Sequence, residues 1–301
     1  MSSRKIIYFI NPISGTKGKK PLMELITSRT QKENIPFEIF FTTKEGDYSF
    51  LKDKISLEKI TDVIICGGDG TINTITAFLL DVSVQVGIIP MGSGNGLAFA
   101  AGISRNPSKA LDNIFKGTSN WVDGFFVNNH FSCMLSGLGF DAQVAHDFSH
   151  QKKRGLLTYI FLSIKNFFTA KNYSFTIEVN GKKIQTKALF ISIANSNQFG
   201  NNVTIAPRAS LSDGLLDLVI VAKMNRLLTV FVLLKHLLQG KPDEHADLLS
   251  GKKGVLYLQS KKILIQNHES APMHIDGEPI AAAENLEVKI VEKAFKLIQP
   301  V

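Results

Sequence analysis

Three glycine-rich turns with polar side chains follow three apolar segments in the first third of the chain. They are NPISG at 11–15, GGDGT at 67–71 and PMGSGN at 90–95. Glycines let backbone N–H groups approach an anion closely, and helices that begin near Thr71 and Asn95 would add their positive dipole ends. A single turn of this kind is more often structural, because strand-to-helix connections commonly contain glycine. Together, the three turns predict a phosphate site built mainly from backbone, which we call the cradle.

The segments between these turns predict the elements that bring the turns together. Short β-branched and aromatic runs alternate with segments of spaced apolar positions, the pattern of βαβ units with a largely parallel sheet. In such a sheet the carboxyl ends of the strands share one edge, where open α/β sheets bind their ligands. All three turns are therefore expected at one crevice. The predicted strands are 5–10, 37–42, 62–66 and 84–89, and the predicted helices lie near 18–33, 46–59 and 71–81.

The pattern changes after about residue 122 and predicts a second, mainly β domain. The segment 125–134 indicates two strands around an Asn-Asn turn, and Asn180-Gly181 is a hairpin dipeptide because it permits positive φ. Further strands are predicted at 188–195, 215–222, 254–260, 262–267 and 286–292, with helices near 153–170 and 225–249. We expect an α/β domain at 1–122 and a β-sandwich domain at 123–301, whose last residues are left free to pack back on the first domain.

Composition favours a globular protein with anionic partners. The chain of 301 residues has a net charge of +8, which suits nucleotides, nucleic acid or an acidic membrane surface without choosing among them. Two cysteines, Cys66 and Cys133, are too few for a disulfide framework and favour a reducing compartment. No apolar run approaches the ~18 residues of a membrane-spanning helix, and the N-terminal run is too short for a signal peptide. A cytoplasmic protein is expected.

Asp69 is the unusual member of the cradle, which matches no standard nucleotide-binding fingerprint. The P-loop pattern is missing, and GSGNGLAFAAG lacks the third glycine of the dinucleotide-binding motif. A carboxylate among phosphates is repelled unless something compensates its charge. Asp69 therefore fits a ligand or neighbour of Mg²⁺, or a base beside an attacking hydroxyl. The alternative is an Asx turn that caps the helix at 71.

Five motifs in order resemble the diacylglycerol kinase catalytic-domain family, which includes bacterial lipid kinases and sphingosine and ceramide kinases. They are NPISG, GGDGTIN, PMGSGN, DGLLDLVIV at 213–221 and HIDGEPI at 274–280. The resemblance spans almost the whole chain, whereas GGDGT alone is also similar to the NAD kinase and phosphofructokinase signature. It implies an N-terminal α/β domain that binds ATP, a C-terminal β-sandwich that holds the lipid, and an active site in the cleft between them.

The resemblance also implies site residues. It assigns the ATP site to Asn11, Pro12, Ser14, Gly15, Thr42, Gly67, Gly68, Asp69, Gly70, Thr71, Asn73, Ser93, Gly94 and Asn95. It assigns catalytic carboxylates to Glu278, Asp69 and Asp276, with Glu278 as proton acceptor for the lipid hydroxyl and Asp69 competing for that role. Mg²⁺ would bridge the phosphates. His274, beside this turn, is expected to have a packing role.

The resemblance further implies a structural Mg²⁺ loop in the segment ASLSDGLLDL. Asp213 would supply a carboxylate, and the backbone carbonyls of Ser210 and Leu215 would complete an oxygen-rich shell. An ordinary Asp-Gly turn before a strand fits the same residues equally well, so metal and turn remain open alternatives.

The predicted function is an ATP- and Mg²⁺-dependent lipid kinase of phospholipid metabolism that phosphorylates a hydroxyl of a diacylglycerol-like or sphingoid lipid. Many bacterial members of the family carry a threonine at the position of Ser93 and an aspartate after the asparagine. GSGNGLA is closer to the sphingosine and ceramide kinase form, which leaves the lipid open. The alternatives are an NAD kinase-like soluble kinase and a non-catalytic nucleotide- or lipid-binding module.

The segment 152–173 is the candidate for peripheral membrane contact. A basic start at 152–154 precedes a wide apolar surface that includes Phe161, Ile164 and Phe168. Such a helix either lies at an anionic lipid surface or packs on its own domain. Packing is favoured, with the basic start as a lipid-facing tip. Nucleic acid is not expected as a partner, and the oligomeric state is left open.

Overall fold

The chain forms two compact units in a computed structural model that describes residues 4–15, 18–151, 156–198, 206–222 and 254–301. The N-terminal unit contains Met1–Val122 together with Lys293–Val301, and the C-terminal unit contains Asp123–Glu292. The predicted helix at 225–249 and the basic start at 152–154 lie outside the described residues.

The N-terminal unit is built on a parallel sheet in the order β2-β1-β3-β4, and the last part of β15 pairs with β4. Every residue of β1 and β3 is buried, because apolar strands covered on both faces belong at the centre of a parallel sheet. The predicted α/β domain is therefore confirmed. The strands are β1 (Ile6–Ile10), β2 (Phe37–Phe41), β3 (Asp62–Gly67) and β4 (Gln85–Pro90), while β5 (Thr118–Val127) and β15 (Asn285–Gln299) contain residues of both units.

The helices of this unit begin and end where local chemistry favours it. Asn106 caps α5 by accepting hydrogen bonds from the N–H groups of Ser108 and Lys109, and Pro107 occupies the first helical position. The sequence pattern did not predict α5, whereas α1, α2 and α3 confirm the predicted helices. The bounds are α1 (Lys20–Lys32), α2 (Leu51–Glu58), α3 (Asp69–Ala77), α4 (Gly96–Ala100) and α5 (Pro107–Lys116).

The C-terminal unit is mainly antiparallel β-structure, as predicted. The long strand β9 is its hub, because β8 pairs with its first half while β7 and β10 pair with its second half. The two helices are α6 (Phe140–Ser149) and α7 (Leu156–Thr169). The strands are β6 (His130–Ser132), β7 (Leu135–Gly139), β8 (Tyr173–Val179), β9 (Lys182–Ala194), β10 (Leu216–Ala222), β11 (Val255–Ser260), β12 (Lys262–Asn267), β13 (Met273–Ile275) and β14 (Glu278–Ile280).

Turn residues set the strand register in this unit. Asn180 and Gly181 have φ of 50° and 72° and join β8 to β9 with a two-residue turn, as the sequence predicts. Asn128, with φ of 52°, follows β5 in the predicted Asn-Asn turn. Side chains alternate between the two faces of each strand, so every second side chain enters one apolar core, which includes Phe175, Ile177 and Ile265.

Helix α7 has one face that packs on the unit and another that is exposed, among the side chains that the structure describes. Leu162 and Asn166 are buried, whereas Phe161, Ile164 and Phe168 are 66%, 57% and 61% exposed. The predicted packing therefore holds for one face, and the opposite face carries exposed apolar side chains. None of the helices among the described residues has the length and apolar character needed to cross a membrane.

The ion pair between Arg4 and Asp62 is expected to stabilise the N-terminal unit. Arg4 donates to both carboxylate oxygens of the fully buried Asp62, at 2.6 and 3.2 Å. Arg4→Met leaves that charge unpaired and should lower the free energy of unfolding by about 3 kcal/mol in urea denaturation. Arg105→Met, at an exposed position, is the matched control and should change it by less than about 0.5 kcal/mol. Equal effects of the two variants would contradict the assignment.

Candidate active-site residues in each unit

The three turns of the cradle meet at the carboxyl edge of the parallel sheet. The N–H of Asn11 donates to the carbonyl of Cys66 at 2.9 Å, and the N–H of Met91 donates to that of Gly67 at 2.8 Å. The amide of Asn11 also donates to the hydroxyl of Thr71 at 2.7 Å. Backbone and side-chain hydrogen bonds therefore join the turns after β1, β3 and β4, as strand order and turn position predict.

Gly68 and Gly92 allow two of these turns to touch. A Cβ atom at Gly92 would lie 2.6 Å from the Cα of Gly68, and one at Gly68 would lie 3.0 Å from the Cα of Gly92. Any larger residue would separate the turns. Asn95 closes the PMGSGN loop. Its buried side chain accepts a hydrogen bond from the N–H of Gly92 at 2.7 Å and donates one to the Gly92 carbonyl at 2.8 Å. The backbone of this edge is thus held in one shape.

The Asp69 carboxylate points to the start of α4. Helix α3 begins at Asp69 itself, and no side chain caps it through its N-cap residue, Gly68. The carboxylate instead accepts a hydrogen bond from the N–H of Leu97 at 3.4 Å. Burial raises the pKa of the Asp69 carboxyl above its ordinary value, and the N–H groups of residues 95–97 only partly offset that rise. A desolvated carboxylate of this kind is suited to bind a cation or to accept a proton. These match the two predicted roles of Asp69, a ligand or neighbour of Mg²⁺ and a base.

The other residues assigned to the ATP site lie at or beside the same edge. Thr42 follows β2, and its N–H donates to the carbonyl of Ile10 at 3.0 Å. The remaining positions are Pro12, Ser14 and Gly15 in the turn after β1, Gly70 and Asn73 in α3, and Ser93 and Gly94 in the loop after β4. All the positions that the resemblance assigns to the ATP site therefore lie in the N-terminal unit, in or beside the turns at this edge, and their role stays a prediction.

Lys19 is a cation of the cradle that the motifs did not single out. Its ammonium group donates to the carbonyl of Ser14, and it lies 3.9 Å from where a Cβ of Gly15 would be. Burial lowers the pKa of Lys19. The sequence feature that could have indicated Lys19 is the basic run that follows NPISG. A run of charges more often marks a solvated face.

Glu278 is presented by a tight hairpin in the C-terminal unit. Ile275 of β13 pairs with Glu278 of β14, which leaves Asp276 and Gly277 as a two-residue turn. Their φ angles of 49° and 83° are those of a type I′ turn, which favours an Asp-Gly pair. Glu278 is exposed as the first residue after the turn.

Asp276 anchors this hairpin to the strands beside it. Its buried carboxylate accepts from the hydroxyl of Ser132 at 2.8 Å and from the N–H groups of Leu135 at 2.9 Å and Cys133 at 3.4 Å. Its own N–H donates to the carbonyl of Leu135 at 2.8 Å. A carboxylate with this many donors is geometrically fixed.

The Asp213 loop gathers carboxylates in the C-terminal unit. Asp213 accepts from the N–H of Leu215 at 3.0 Å, and Asp123 accepts from the N–H of Gly214 at 2.8 Å. Burial, together with the charge of Asp123, raises the pKa of Asp213. Burial, together with the charge of Asp213, raises the pKa of Asp217 to about 6. Neither Asp123 nor Asp217 is among the site residues that the motifs predict.

This loop has the features of the predicted turn, and a metal there is left as a proposal. Gly214 has φ of 72°, and the hydroxyl of Ser210 accepts from the N–H of Ser212 at 3.4 Å. Over the described ranges, no three His, Cys, Asp or Glu side chains are grouped as metal ligands. The protein ligands of a cation at this loop would therefore have to include backbone oxygens.

Two family models match the chain. Residues 5–127 match the diacylglycerol kinase catalytic domain, and residues 135–299 match the YegS C-terminal NAD kinase beta sandwich-like domain. The two matches follow the α/β and β halves of the sequence. Because the second match covers more than half of the chain, the similarity extends well beyond the GGDGT turn.

Individual proteins support the same assignment. A diacylglycerol kinase of Bacillus subtilis is 27% identical over 92% of this chain and 90% of its own length. A diacylglycerol kinase of Staphylococcus carnosus is 26% identical over 91% and 88%. The crystal structure of a diacylglycerol kinase from Bacillus anthracis has a TM-score of 0.73 at 18% identity, covering 99% of this chain and 98% of that one. That last likeness concerns the fold.

The raised pKa of Asp217 predicts a pH-dependent effect on stability. The folded state holds the Asp217 proton to higher pH than the unfolded state, whose Asp pKa is near 3.8, so ionisation destabilises the fold as pH rises through about 4 to 6. Asp217→Asn removes this effect. Its free energy of unfolding relative to the wild type should therefore increase by about 2 kcal/mol between about pH 4 and about pH 7.

Urea denaturation of both proteins at each pH provides the measurement. Asp53→Asn, at an exposed position, is the matched control and should show no such change. A difference between Asp217→Asn and the wild type that stays constant with pH would show that the shift is misassigned.

Proposed function

Because the chain belongs to the diacylglycerol kinase catalytic-domain family, we propose that it transfers the γ-phosphate of ATP to a hydroxyl of a diacylglycerol-like or sphingoid lipid. The observation that carries this proposal is the cradle, in which three turns meet at the carboxyl edge of the sheet and Gly68 contacts Gly92. Backbone N–H groups at such an edge suit phosphates. The relatives of known name support the lipid as acceptor.

In the proposed site, the N-terminal unit binds the nucleotide. The hydrogen bond between Asn11 and Thr71 fixes the first and second turns against each other, at the edge where the phosphates would bind. Lys19 would supply positive charge beside the phosphates. The Asp69 carboxylate is the group suited to hold Mg²⁺, which would neutralise phosphate charge during transfer.

Proton acceptance is proposed for Glu278 rather than Asp276. The carboxylate of Asp276 already accepts three hydrogen bonds and is buried, so its role is to hold the turn. Glu278 is exposed, and a hydroxyl carried by a lipid can approach its carboxylate. Asp69 stays the competing base, and variants separate the two.

A second Mg²⁺ is proposed at the Asp213 loop. Desolvation, together with the charge of Asp123 acting on Asp213 and that of Asp213 acting on Asp217, raises both pKa values, and a divalent cation would offset these effects. Carboxylate and carbonyl oxygens are the ligands that Mg²⁺ prefers. Asp213 with the carbonyl oxygens of Ser210 and Leu215 would hold the ion, which would stabilise the loop that leads into β10.

Phosphate transfer to lipids in mixed micelles tests the proposed function. With ATP and Mg²⁺, the wild type should label one of diacylglycerol, monoacylglycerol, phosphatidylglycerol, sphingosine and ceramide, and it should leave NAD unlabelled. Glu278→Gln should lower kcat by about 10²–10⁴-fold, as expected for loss of a general base, and should leave ATP binding unchanged.

Glu284→Gln, at an exposed position of the same unit, is the control and should retain wild-type turnover. Asp69→Asn should lose turnover and also bind Mg²⁺-ATP more weakly if Asp69 holds the metal. Full activity of Glu278→Gln would remove Glu278 from the reaction. Labelling of NAD alone would favour the soluble kinase, and ATP binding without labelling of any acceptor would favour a non-catalytic module.

A peripheral membrane contact is proposed for the exposed face of α7. Phe161, Ile164 and Phe168 lie at intervals of three and four residues and therefore project from one side of the helix. Lys165, on the same side, is exposed and is followed by the exposed Lys171. On the opposite side, the amide of Asn166 donates to the carboxylate of Asp147 at 2.9 Å, which fixes the rotation of α7. An apolar face edged by lysines suits an anionic bilayer.

Binding to vesicles measures this contact. The double variant Phe161→Ser with Phe168→Ser should bind vesicles of phosphatidylcholine and phosphatidylglycerol at least about 10-fold more weakly, because each phenylalanine loses its burial in lipid. The control Leu57→Ser with Val301→Ser changes two exposed apolar residues of the N-terminal unit and should bind as the wild type does. Unchanged binding of the α7 variant would refute the contact.

A further inference from the structure

We infer that a buried pair, Asp141 and His274, positions the hairpin that carries Glu278. The inference rests on the proposed function, in which Glu278 accepts the proton of the lipid hydroxyl. Neither side chain of the pair is exposed, so neither can touch a substrate at the surface. Their effect on catalysis must therefore be transmitted through the residues that they contact.

His274 holds the turn directly. It is the central residue of β13, pairs with Gly137 of β7, and is almost completely buried. Its Nδ1 accepts a hydrogen bond from the N–H of Gly277 at 3.2 Å. Gly277 is the second residue of the type I′ turn and immediately precedes Glu278. The imidazole thus fixes the backbone one residue away from the proposed base.

Asp141 lies against the imidazole. In the tautomer whose Nδ1 accepts from Gly277, the ring proton is carried by Nε2, which lies 3.5 Å from the carboxylate Oδ2 of Asp141, an electrostatic contact longer than a formed hydrogen bond. Asp141 lies in the first turn of α6, where its other oxygen accepts from the N–H of Ala142 at 2.8 Å. A carboxylate beside one ring nitrogen favours the tautomer that carries its proton on that nitrogen. The other nitrogen can then accept a hydrogen bond, here from the backbone.

Gly137 makes room for this pair. A Cβ atom at this position would overlap the Asp141 carboxylate and lie 2.6 Å from Nε2 of His274. Alanine would therefore force the two groups apart. The glycine lies in a strand interior, where the lack of a side chain weakens a strand unless another group approaches closely. Here the approaching groups are the buried acid and imidazole.

The pair links α6 to the catalytic hairpin. Helix α6 packs against β13 and β14. The chain of contacts runs from Asp141 to His274 and on to the N–H of Gly277, while Asp276 ties the other residue of the turn to 132–135. Two independent anchors therefore set both turn residues. Precise placement of a reacting group matters, because a displacement of about 1 Å can cost about 100-fold in rate.

Substitution of His274 tests the inference by kinetics. His274→Leu removes the acceptor for Gly277 and should lower kcat by about 10–100-fold with an unchanged KM for ATP. His274→Asn places an amide oxygen near the position of Nδ1 and should recover part of the loss. The control His268→Asn changes an exposed histidine that contacts Thr176, and it should retain wild-type kcat.

A double variant separates positioning from general loss of structure. If His274 acts through Glu278, His274→Leu should lower the residual turnover of Glu278→Gln by less than about twofold. A full additional loss in that background would overturn the inference. Asp141→Asn and Gly137→Ala should reproduce the kcat defect of His274→Leu, and normal turnover in both would also overturn it.

Amide hydrogen exchange at Gly277 tests the same contact without any activity. The Gly277 amide should exchange at least about 10-fold faster in His274→Leu than in the wild type, and His274→Asn should restore protection. Equal exchange in all three proteins would refute the anchoring role. A wild type with a protected Gly277 but no transfer to any lipid would instead refute the proposed function and leave the anchor established.

Discussion

The close approach of two backbone turns at the edge of a parallel sheet is the constraint on which the N-terminal unit depends. Gly68 and Gly92 meet without side chains between them, and Asn95 closes the second turn with two hydrogen bonds to Gly92. This packing holds the backbone of the edge in one shape, where the proposed function would place the phosphates. Apolar strands set the edge, and glycines set how near the turns can come.

Each unit contains desolvated carboxylates with raised pKa values. Burial raises the pKa of Asp69 in one unit and of Asp213 and Asp217 in the other. The chain has a net charge of +8, so these desolvated acids are local exceptions in a basic protein. Under the proposed function, the net positive charge would suit nucleotides and anionic lipids, and the acids would suit Mg²⁺.

The C-terminal hairpin combines an exposed acid with buried polar anchors. The Asp276 carboxylate and Nδ1 of His274 accept hydrogen bonds within the unit, so part of the cost of burying these groups is offset by contacts that fix the turn. Glu278 follows this rigid turn and faces solvent. A flexible loop would place the same carboxylate less accurately, which explains why polar groups are buried beneath so short a hairpin.

The sequence by itself determined the alternation of strands and helices, the three turns at one sheet edge and the Asn-Gly and Asn-Asn turns, because these depend on local periodicity and turn chemistry. It missed the helices α5 and α6. It also missed β13 and β14, which have three residues each, and the glycine-containing β7, because these strands show no periodicity. Only the tertiary structure decided where the carboxylates point. Asp69 reaches α4, Asp276 anchors its turn, and Asp141 meets His274, because such contacts join residues far apart in sequence whose spacing carries no signal of their meeting.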